Sequence, residues 1–332
     1  MSTLPIGIYY EHPDWFRPLF AELDRRGISY ARIAADEHRY DVTAGAPASQ
    51  YALVFNRMSP SAYLRGHVQA IFHTLGYLGY LEQQGVRVIN GLDAYRIETS
   101  KSLQLSLLRA LGLPFPASRV INRASQAPAA AEGLRFPVVV KANVGGSGAG
   151  IVRFDDARDL ARAAADLRID LGIDHTALVQ EFIPARGGHI TRVEVLDGRY
   201  LYAINVYSAG ESFNLCPADI CQTSDGVALA RGACPVDAPT NNLRVAGTTP
   251  PPEVIADVER IMAAAGIEIG GVEFIVDDRD GQRYYYDVNA LSNFVADAPR
   301  VVGFDPFASL VDWLEREQVR VAAPADVLAA AR

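Results

Sequence analysis

The chain has 332 residues, 49% of them hydrophobic, and a formal net charge of −8. A chain of this size and composition can bury a large core divided over two or three lobes. Its scattered positive charges argue against nucleic acid as the main partner, and no apolar run approaches the roughly 20 residues that span a bilayer.

The first 92 residues alternate between predicted strands and predicted helices. The predicted strands are residues 7–10, 29–33, 51–56 and 86–90, and the predicted helices are residues 14–26 and 68–83. This alternation is typical of a parallel sheet with covering helices. Arg57 follows the third strand, where a ligand-binding side chain and a surface arginine are equally good interpretations. The N-terminus lacks the basic region and the long apolar core of a signal peptide, so we expect a cytoplasmic protein.

The next segment contains an amphipathic helix and a glycine-rich loop. Lys101 opens the helix, whose leucines fall on one face. Residues 136–141 form a predicted strand that ends in Lys141, and residues 145–150 contain four glycines before the strand at 151–154. Glycines let backbone N–H groups approach phosphate oxygens without obstruction by Cβ. The loop opens no helix, unlike a P-loop or a dinucleotide fingerprint, so by itself it also fits a flexible connection without a ligand.

Residues 177–183 form a buried strand that reaches Glu181 and leaves through a turn containing Pro184. A strand that crosses into a linker in this way can offer backbone N–H and C=O groups to the edge of a purine.

The segment from residue 271 to residue 289 is a predicted hairpin. Two strand-forming runs flank a loop that carries Asp280 and Gly281. Pairing about this loop brings Glu273 close to Asp287, and Asn289 shares a strand face with Asp287. Two carboxylates and an amide oxygen suit a hard cation such as Mg²⁺, although a solvated strand face remains the alternative for this segment alone.

The remainder of the C-terminal part predicts an antiparallel sheet with helices at residues 252–265 and 306–316, followed by a fraying tail at 321–332. The chain has three cysteines, which are Cys216, Cys221 and Cys234. No histidine lies between them, so we interpret them as small buried hydrophobic residues rather than zinc ligands.

In this order and spacing, these segments resemble the ATP-grasp superfamily, most closely its RimK-like branch of ribosomal-protein glutamate ligases. The resemblance spans about residues 86–316 and includes V-V-V-K-A-N-V-G-G-S-G-A-G-I and L-V-Q-E-F-I-P-A-R-G-G. It implies an α/β fold with α+β character in the C-terminal part. The expected units are an N-terminal parallel α/β domain (1–92), a central and lid subdomain (93–184), a C-terminal antiparallel subdomain with the metal site (185–320) and a tail (321–332).

The resemblance also implies a nucleotide site. The residues that would contact ATP are Lys101, Lys141, Gly145, Gly146, Ser147, Gly148, Gln180, Glu181, Phe182 and Ile183. The lysines and the loop would contact the phosphates, and residues 180–183 would line the adenine pocket, with main-chain contacts from Glu181 and Ile183.

The metal and substrate roles follow from the same resemblance. Glu273, Asp287 and Asn289 would bind Mg²⁺, with Mn²⁺ as an alternative ion. Arg192 would hold the substrate carboxylate or the transferring phosphoryl group, and Asn214 would lie near the phosphates.

The chain departs from the family pattern at several of these positions. Glu273 and Asp287 stand where the family usually has Asp and then Glu, which conserves the charge. Ser212 replaces a frequent arginine, and His189 and Thr191 lie where an acid that binds ribose is expected. These departures leave the identity of the amino acid substrate open.

The function implied by the resemblance is an ATP- and Mg²⁺-dependent carboxylate–amine ligase that forms an amide bond through an acyl phosphate and releases ADP and phosphate. Its partners would be a small carboxylate and an amine, either an amino acid or a peptide, with no nucleic acid and no membrane. A homodimer is the commonest assembly. A small-molecule kinase and a nucleotide-binding regulator without turnover are the alternatives.

Overall fold

The computed structural model describes residues 4–43, 50–145, 150–207, 244–295 and 297–322. Within these ranges the chain forms three sheets, each covered by helices. The first sheet is parallel and the other two are antiparallel. The predicted parallel N-terminal sheet and the predicted antiparallel C-terminal sheet are therefore confirmed, and the central part adds a second antiparallel sheet.

The first sheet has the strand order β2-β1-β3-β4. Its elements are β1 (Ile6–Tyr10), β2 (Tyr30–Ala34), β3 (Leu53–Arg57), β4 (Val88–Ile89) and helices α1 (Arg17–Arg26) and α2 (Val68–Gln83). The predicted helix at 68–83 is confirmed at both ends. The predicted helix at 14–26 is divided, because a short 3₁₀ helix at Pro13–Phe16 precedes α1.

The second sheet has the strand order β5-β8-β6-β7. Its strands, with the helices of the same stretch of chain, are α3 (Leu92–Glu98), α4 (Lys101–Ala110), β5 (Ser118–Ile121), α5 (Ala127–Ala130), β6 (Val138–Ala142), β7 (Val152–Phe154), α6 (Ala157–Ala165) and β8 (Ala177–Glu181). Val138 and Val140 pack in a core with Leu160 of α6. Because side chains alternate along a strand, Val139 and Lys141 face the other side of this sheet.

The third sheet has the strand order β11-β10-β9-β12-β13. Its strands and the helices that follow are β9 (His189–Leu196), β10 (Arg199–Tyr207), β11 (Arg244–Thr248), α7 (Pro252–Ala265), β12 (Ile269–Val276), β13 (Arg283–Asn289), α8 (Ala298–Val302) and α9 (Pro306–Ala322). Helix α7 has the predicted bounds. Val193 and Val195 pack in one core with Val258 of α7, so the intervening side chains of β9 face the opposite side of the sheet.

Helix α9 continues beyond its predicted end at residue 316 to Ala322. Leu310 and Leu314 are buried, and Gln318 donates a hydrogen bond of 2.7 Å to the carbonyl oxygen of Leu4. This contact ties the end of the helix to the N-terminus of the chain. Helix α9 includes the first two residues of the predicted tail, and residues 323–332 lie outside the described ranges.

The largest hydrophobic core crosses from the first sheet to the third. It includes Ile8 and Leu53 of the first sheet, Ile204 of the third sheet and Trp313 of α9. None of the helices in the described ranges combines the length and the apolar character needed to cross a membrane.

Candidate active site

Three neighbouring strands of the third sheet bring the predicted metal ligands together. The register places Arg192 of β9 opposite Glu273 of β12, and Glu273 opposite Asp287 of β13. Asn289 lies two pairs further along, opposite Gly271. Directly opposed residues share a face of the sheet, so these side chains lie side by side. The predicted pairing of Glu273 with Asp287 is confirmed.

Glu273 is held by two neighbours on this face. Its Oε1 accepts a hydrogen bond of 3.0 Å from Arg192 Nη1, and its Oε2 accepts one of 2.8 Å from the hydroxyl of Tyr286. A register shift between Glu273 and Phe274 brings Tyr286 to this position. Burial and the charge of Asp287 raise the pKa of Glu273.

Asp287 is held by a lysine from a different part of the chain. Lys101 Nζ lies 2.5 Å from Asp287 Oδ1, and the Asn289 amide donates to Asp287 Oδ2 at 3.2 Å. Burial acts against the charge of Lys101, but the Asp287 carboxylate outweighs it and raises the pKa of Lys101. Burial similarly acts against the charge of Asp287, and Lys101 outweighs it, so the pKa of Asp287 is lowered.

Lys101 is placed by the start of helix α4. The helix is capped by the Ser100 hydroxyl, and Asn143, which follows β6, accepts a hydrogen bond of 2.9 Å from the Ser102 N–H through its Oδ1. The Asn143 amide also donates to Asp174 Oδ2 at 2.7 Å. Asn143 therefore fixes the helix that carries Lys101 to the strand that carries Lys141.

A second polar side chain attaches α4 to the third sheet. Gln104 is buried, its Nε2 donates to the Val288 carbonyl oxygen at 2.9 Å, and its Oε1 accepts from the Val288 N–H at 3.2 Å. Gln104 thus bonds the open edge of β13 in the way that another strand would. The roles of Asn143 and Gln104 were missed by the sequence analysis, where the sole signal was a glutamine within an apolar helical pattern.

Lys141 has a different environment from Lys101. It is 6% exposed, and within the described ranges its ammonium has no hydrogen bond or ion pair. Burial, together with the charge of Lys101, lowers the pKa of Lys141 to about 7. Asp287 and Glu273 act on it in the opposite direction without forming a direct contact. The structure therefore brings both predicted lysines near the predicted carboxylates.

The predicted adenine segment lies at the end of β8. Gln180 is buried and donates to the Ser118 hydroxyl at 2.8 Å, while Glu181 Oε1 accepts from the Arg135 N–H at 2.8 Å. The Arg153 guanidinium lies 4.8 Å from the centroid of the Phe182 ring. Ile183 is buried in the largest core. Gln180 and Phe182 therefore contact neighbouring strands of the second sheet, whereas Ile183 packs in the core shared by the first and third sheets.

The remaining predicted positions are either described by the structure without being brought into contact with the carboxylates, or lie outside the described residues. Gly145 lies at the base of the loop, where a Cβ would be 3.5 Å from the Tyr63 hydroxyl. The Thr191 hydroxyl donates to Asn205 at 2.8 Å, and His189 Nδ1 lies 3.3 Å from the Gly187 carbonyl oxygen. The predicted positions that lie outside the described residues are Gly146, Ser147, Gly148, Ser212, Asn214, Cys216, Cys221 and Cys234.

Arg57 is 2% exposed, which excludes the interpretation as a surface arginine. Its guanidinium donates to the Ser292 carbonyl oxygen and, at 3.0 Å, to Asn293 Oδ1. Arg57 therefore joins the carboxyl edge of the first sheet to the loop that follows β13.

Two buried glutamates near the site were missed by the sequence analysis. Glu98, at the end of α3, accepts a hydrogen bond from the Ala290 N–H, and burial raises its pKa to about 7. Glu194 Oε1 lies 2.5 Å from Arg192 Nε. The spacing of two residues between Arg192 and Glu194 in a predicted strand was the available signal, because it puts both side chains on one face.

The donor set fits a hard divalent cation. Carboxylate and amide oxygens are the groups that Mg²⁺ and Ca²⁺ prefer, and Glu273, Asp287 and Asn289 present them on one sheet face. Among the described residues, no group of three or more His, Cys, Asp and Glu side chains is arranged to hold a metal ion. Because Mg²⁺ takes six oxygen ligands, these three residues would need further oxygens, from water or from a bound molecule such as phosphate, to complete the coordination.

Part of the chain is similar to a known family model and to proteins of known function. Residues 98–214 match the model of the RimK-like ATP-grasp domain. The chain is 28% identical over 152 residues to a D-alanine–D-alanine ligase from Geobacter sulfurreducens, covering 42% of this chain and 46% of that protein. It is 26% identical over 239 residues to the carbamoyl phosphate synthase large chain of Archaeoglobus fulgidus, covering 70% of this chain and 20% of that protein. The chain thus spans less than half the length of these two relatives.

Solved structures share the fold over nearly the whole chain. The ATP-grasp ligase PsnB in complex with a minimal precursor has a TM-score of 0.66 at 19% identity, covering 95% of this chain and all of that chain. A RimK domain ATP-grasp protein from Sphaerobacter thermophilus has a TM-score of 0.64 at 20% identity, covering 93% of this chain and 98% of that chain. The predicted ATP-grasp fold is therefore confirmed, and so is the resemblance to the RimK-like branch.

Proposed function

We propose that this chain, which has the ATP-grasp fold, is an ATP- and Mg²⁺-dependent carboxylate–amine ligase. One observation carries the proposal: Lys101 pairs with Asp287, and Lys141, from a different element, is near enough for the charges of Asp287 and Glu273 to affect its pKa. The similarity to proteins named as ligases supports the reaction class.

The proposed reaction has two steps. A carboxylate oxygen of one substrate attacks the γ-phosphorus of ATP, the bond from that phosphorus to the ADP oxygen breaks, and an acyl phosphate forms. The amine of the second substrate then attacks the acyl carbon, phosphate leaves, and the nitrogen loses a proton to complete the amide bond. Phosphoryl transfer depends mainly on positioning and on stabilisation of charge.

The residues of the site suit these requirements. Lys101 and Lys141 would hold phosphate oxygens, while Glu273, Asp287 and Asn289 would hold Mg²⁺, which would neutralise charge on the phosphates when bound. Arg192 would hold the substrate carboxylate or the transferring phosphoryl group. In the structure, Lys101 forms an ion pair with Asp287, and Arg192 forms one with Glu273. When the cation binds Asp287, Lys101 would be released from that carboxylate and would bind the phosphates.

The proposal also gives each of the three predicted units of the chain a role. Residues 1–92 would present the substrate at the carboxyl edge of the first sheet, residues 93–184 would cover the nucleotide, and residues 185–320 would carry the metal site. The loop at 145–150 would close over the phosphates and exclude water, which would otherwise hydrolyse the acyl phosphate. We propose a small carboxylate and an amino acid or peptide amine as substrates.

The test measures release of ADP and of free phosphate, with Mg²⁺ and ATP, over carboxylates and amines supplied singly and in pairs. Phosphate release that requires one carboxylate and one amine is the expected result. Release of ADP without phosphate, together with a stable phosphorylated product, would establish a kinase instead. ATP binding without any product over the whole panel would favour a regulator.

Asp287→Ala tests the site assignment in the same assay. Loss of a metal ligand removes several kcal/mol of transition-state stabilisation, so turnover should fall by about a thousandfold or more. Asp280→Ala is the matched control, because Asp280 lies in the exposed hairpin loop, where it accepts a hydrogen bond from the Gln282 N–H. Turnover of Asp287→Ala equal to that of Asp280→Ala would contradict the assignment.

A further inference from the structure

The chain that leaves β8 for the third sheet is bonded to both sheets. Residues 182–185, which we call the linker, follow β8 directly. The Phe182 N–H donates a hydrogen bond of 3.0 Å to the carbonyl oxygen of Pro137, at the start of β6. The carbonyl oxygen of Pro184 accepts one of 2.9 Å from the N–H of Asp278, in the loop between β12 and β13. The linker is therefore held between the second and third sheets.

Asp277, the first residue after β12, holds two arginines, and its side chain is 0% exposed. Its Oδ1 accepts hydrogen bonds from the Arg279 N–H at 2.9 Å and from Arg279 Nε at 2.8 Å. Its Oδ2 accepts from Arg279 Nη2 at 2.7 Å and from Arg135 Nη2 at 3.1 Å. The bond to the N–H two residues on is that of an Asx turn, so this side chain also shapes the hairpin loop (residues 277–282). The hydrogen bonds from Arg279 outweigh burial and lower the pKa of Asp277, which keeps the carboxylate charged at neutral pH.

Both arginines continue from Asp277 to the predicted adenine segment. Arg279 Nη2 donates to the Phe182 carbonyl oxygen at 3.4 Å. The Arg135 N–H donates to Glu181 Oε1 at 2.8 Å, and Arg135 Nε lies 3.9 Å from Glu181 Oε2. One buried carboxylate therefore connects the hairpin loop to two consecutive residues at the end of β8.

The same hairpin carries the proposed metal ligands at its other end. Glu273 lies four residues before Asp277, which corresponds to about 13 Å along an extended strand. One end of the hairpin would thus position the phosphates through the cation, and the other end would position the base through the linker. A change at Asp277 should act on the base and leave the metal ligands in place.

We propose that Asp277 is a positioning residue for the adenine base. It holds Arg279 and Arg135 in place and so fixes the backbone groups of Glu181 and Ile183 that the base would contact. The inference rests on the proposed function, since it needs a nucleotide at this segment. It predicts that Asp277 acts on the affinity for every adenine nucleotide by the same factor, whatever the number of phosphates.

The experiment measures the dissociation constants of ADP and of the ATP analogue AMPPNP, each saturated with Mn²⁺, by calorimetry on the full chain. Asp277→Asn keeps the shape of the side chain and removes its charge. The side chains of Arg279 and Arg135 are 28% and 44% exposed, so their guanidinium groups can turn to solvent and the variant should stay folded. Both dissociation constants should rise about tenfold, the effect expected for loss of a hydrogen bond between charged groups.

Asp278→Asn is the matched control. Asp278 is the next residue of the same loop, but its side chain is 64% exposed, and its Oδ1 lies 3.7 Å from Arg186 Nε. The substitution removes the same charge and keeps the N–H that bonds Pro184. Both dissociation constants should therefore equal those of the wild type.

Arg279→Met tests whether Asp277 acts through Arg279. The side chain of the variant cannot bond either Asp277 or the Phe182 carbonyl oxygen. In this background, adding Asp277→Asn should raise the dissociation constants by much less than tenfold, because residues that act as one unit are not additive. Full additivity of the two substitutions would overturn the inference, since Asp277 would then act independently of Arg279.

The number of molecules bound per chain separates positioning from a loss of folded protein. A variant that is only less stable would bind fewer molecules with unchanged dissociation constants. Unchanged constants in Asp277→Asn would overturn the positioning role and leave the proposed function intact. A loss for AMPPNP without a loss for ADP would overturn it as well, because the effect would then lie at the phosphates. Failure of the wild-type chain to bind either nucleotide would overturn the proposed function, and the inference with it.

Discussion

The two sheets that border the proposed nucleotide site differ in whether their charged side chains form ion pairs. On the third sheet, Glu273 is paired with Arg192, and Asp287 with Lys101. On the second sheet, Lys141 is buried but has no carboxylate in contact within the described ranges, and burial together with Lys101 lowers its pKa to about 7.

The difference indicates which part of the site is complete before a ligand arrives. Paired charges hold one another in place, so the third sheet presents a preorganised row of side chains. A lysine near its pKa can carry a proton or lose it at little cost, and an arriving phosphate would restore its charge. We infer that the third sheet fixes the geometry of the site, whereas Lys141 responds to the nucleotide.

The largest expected effects on the free energy of unfolding come from replacing Lys101 and Lys141, and the two replacements should act in opposite directions. Lys101→Met leaves Asp287 buried without its cation, and should lower the free energy of unfolding by about 2 to 3 kcal/mol, somewhat less than for a fully buried pair. Lys141→Met removes a buried charge that has no partner among the described residues, so it should stabilise the chain at pH 6. Urea unfolding of both variants measures the difference.

The pH dependence of these variants has a definite sign. The folded-state pKa of Lys141, about 7, lies below its ordinary value of 10.5. The unfolded chain thus binds more protons between these values, and wild-type stability gains up to about 1.4 kcal/mol per pH unit across this window from this group. The advantage of Lys141→Met should shrink as the pH rises above 7. Equal destabilisation by the two substitutions at pH 6 would contradict the contrast between the lysines.

A smaller effect is expected on nucleotide affinity. Above pH 7, Lys141 of the free protein is largely neutral, so binding of metal-free AMPPNP must take up a proton. The dissociation constant should therefore rise with pH above 7, by at most about tenfold per unit, which corresponds to 1.4 kcal/mol. Calorimetry in buffers of different ionisation enthalpy would detect the proton directly.

Lys141→Arg provides the control for this pH dependence. Arginine stays charged throughout the range, so the part of the slope due to position 141 should disappear while the affinity at pH 7 is largely kept. A slope that is the same in Lys141→Arg as in the wild type would assign the pH dependence to the nucleotide or to another group.

The features of the site that depend on local sequence patterns were predictable, and those that depend on contacts between distant segments were not. The hairpin register follows from local patterns, since the loop at Asp280 and Gly281 and the alternation of the strands place Glu273 opposite Asp287. Helix α7 likewise follows from its periodicity. Bonds between distant segments do not follow from any local pattern. They include the pair of Lys101 with Asp287, the bonds of Gln104 to Val288 and the position of Arg57.

The lowered pKa of Lys141 was unpredictable for a related reason. It depends on burial and on the charge of the nearby Lys101, neither of which is encoded in the run that ends at Lys141. The strand that carries this lysine was predicted, but its electrostatic environment requires the tertiary structure. The division of the chain at residues 92 and 184 stays a prediction.

The smallest expected effect concerns two adjacent tyrosines of β13. The Tyr286 hydroxyl donates to Glu273 on the site face, and the Tyr285 hydroxyl donates to Asp257 of α7 on the opposite face at 3.0 Å. Tyr286→Phe removes one hydrogen bond of about 1 kcal/mol from Glu273, so the affinity for Mn²⁺–AMPPNP should fall roughly fivefold.

Tyr285→Phe is the control for Tyr286→Phe. It removes the same hydroxyl group, but from a side chain on the opposite face of the sheet. It should reduce stability by about the same 1 kcal/mol and leave the affinity for Mn²⁺–AMPPNP unchanged, because Asp257 belongs to the helical layer. Equal affinities of the two variants would show that the Tyr286 hydroxyl does not orient Glu273. A loss confined to Tyr286→Phe would show that the preorganisation of the third sheet extends to the single hydrogen bonds around its carboxylates, since the two substitutions delete the same atom from neighbouring residues of one strand.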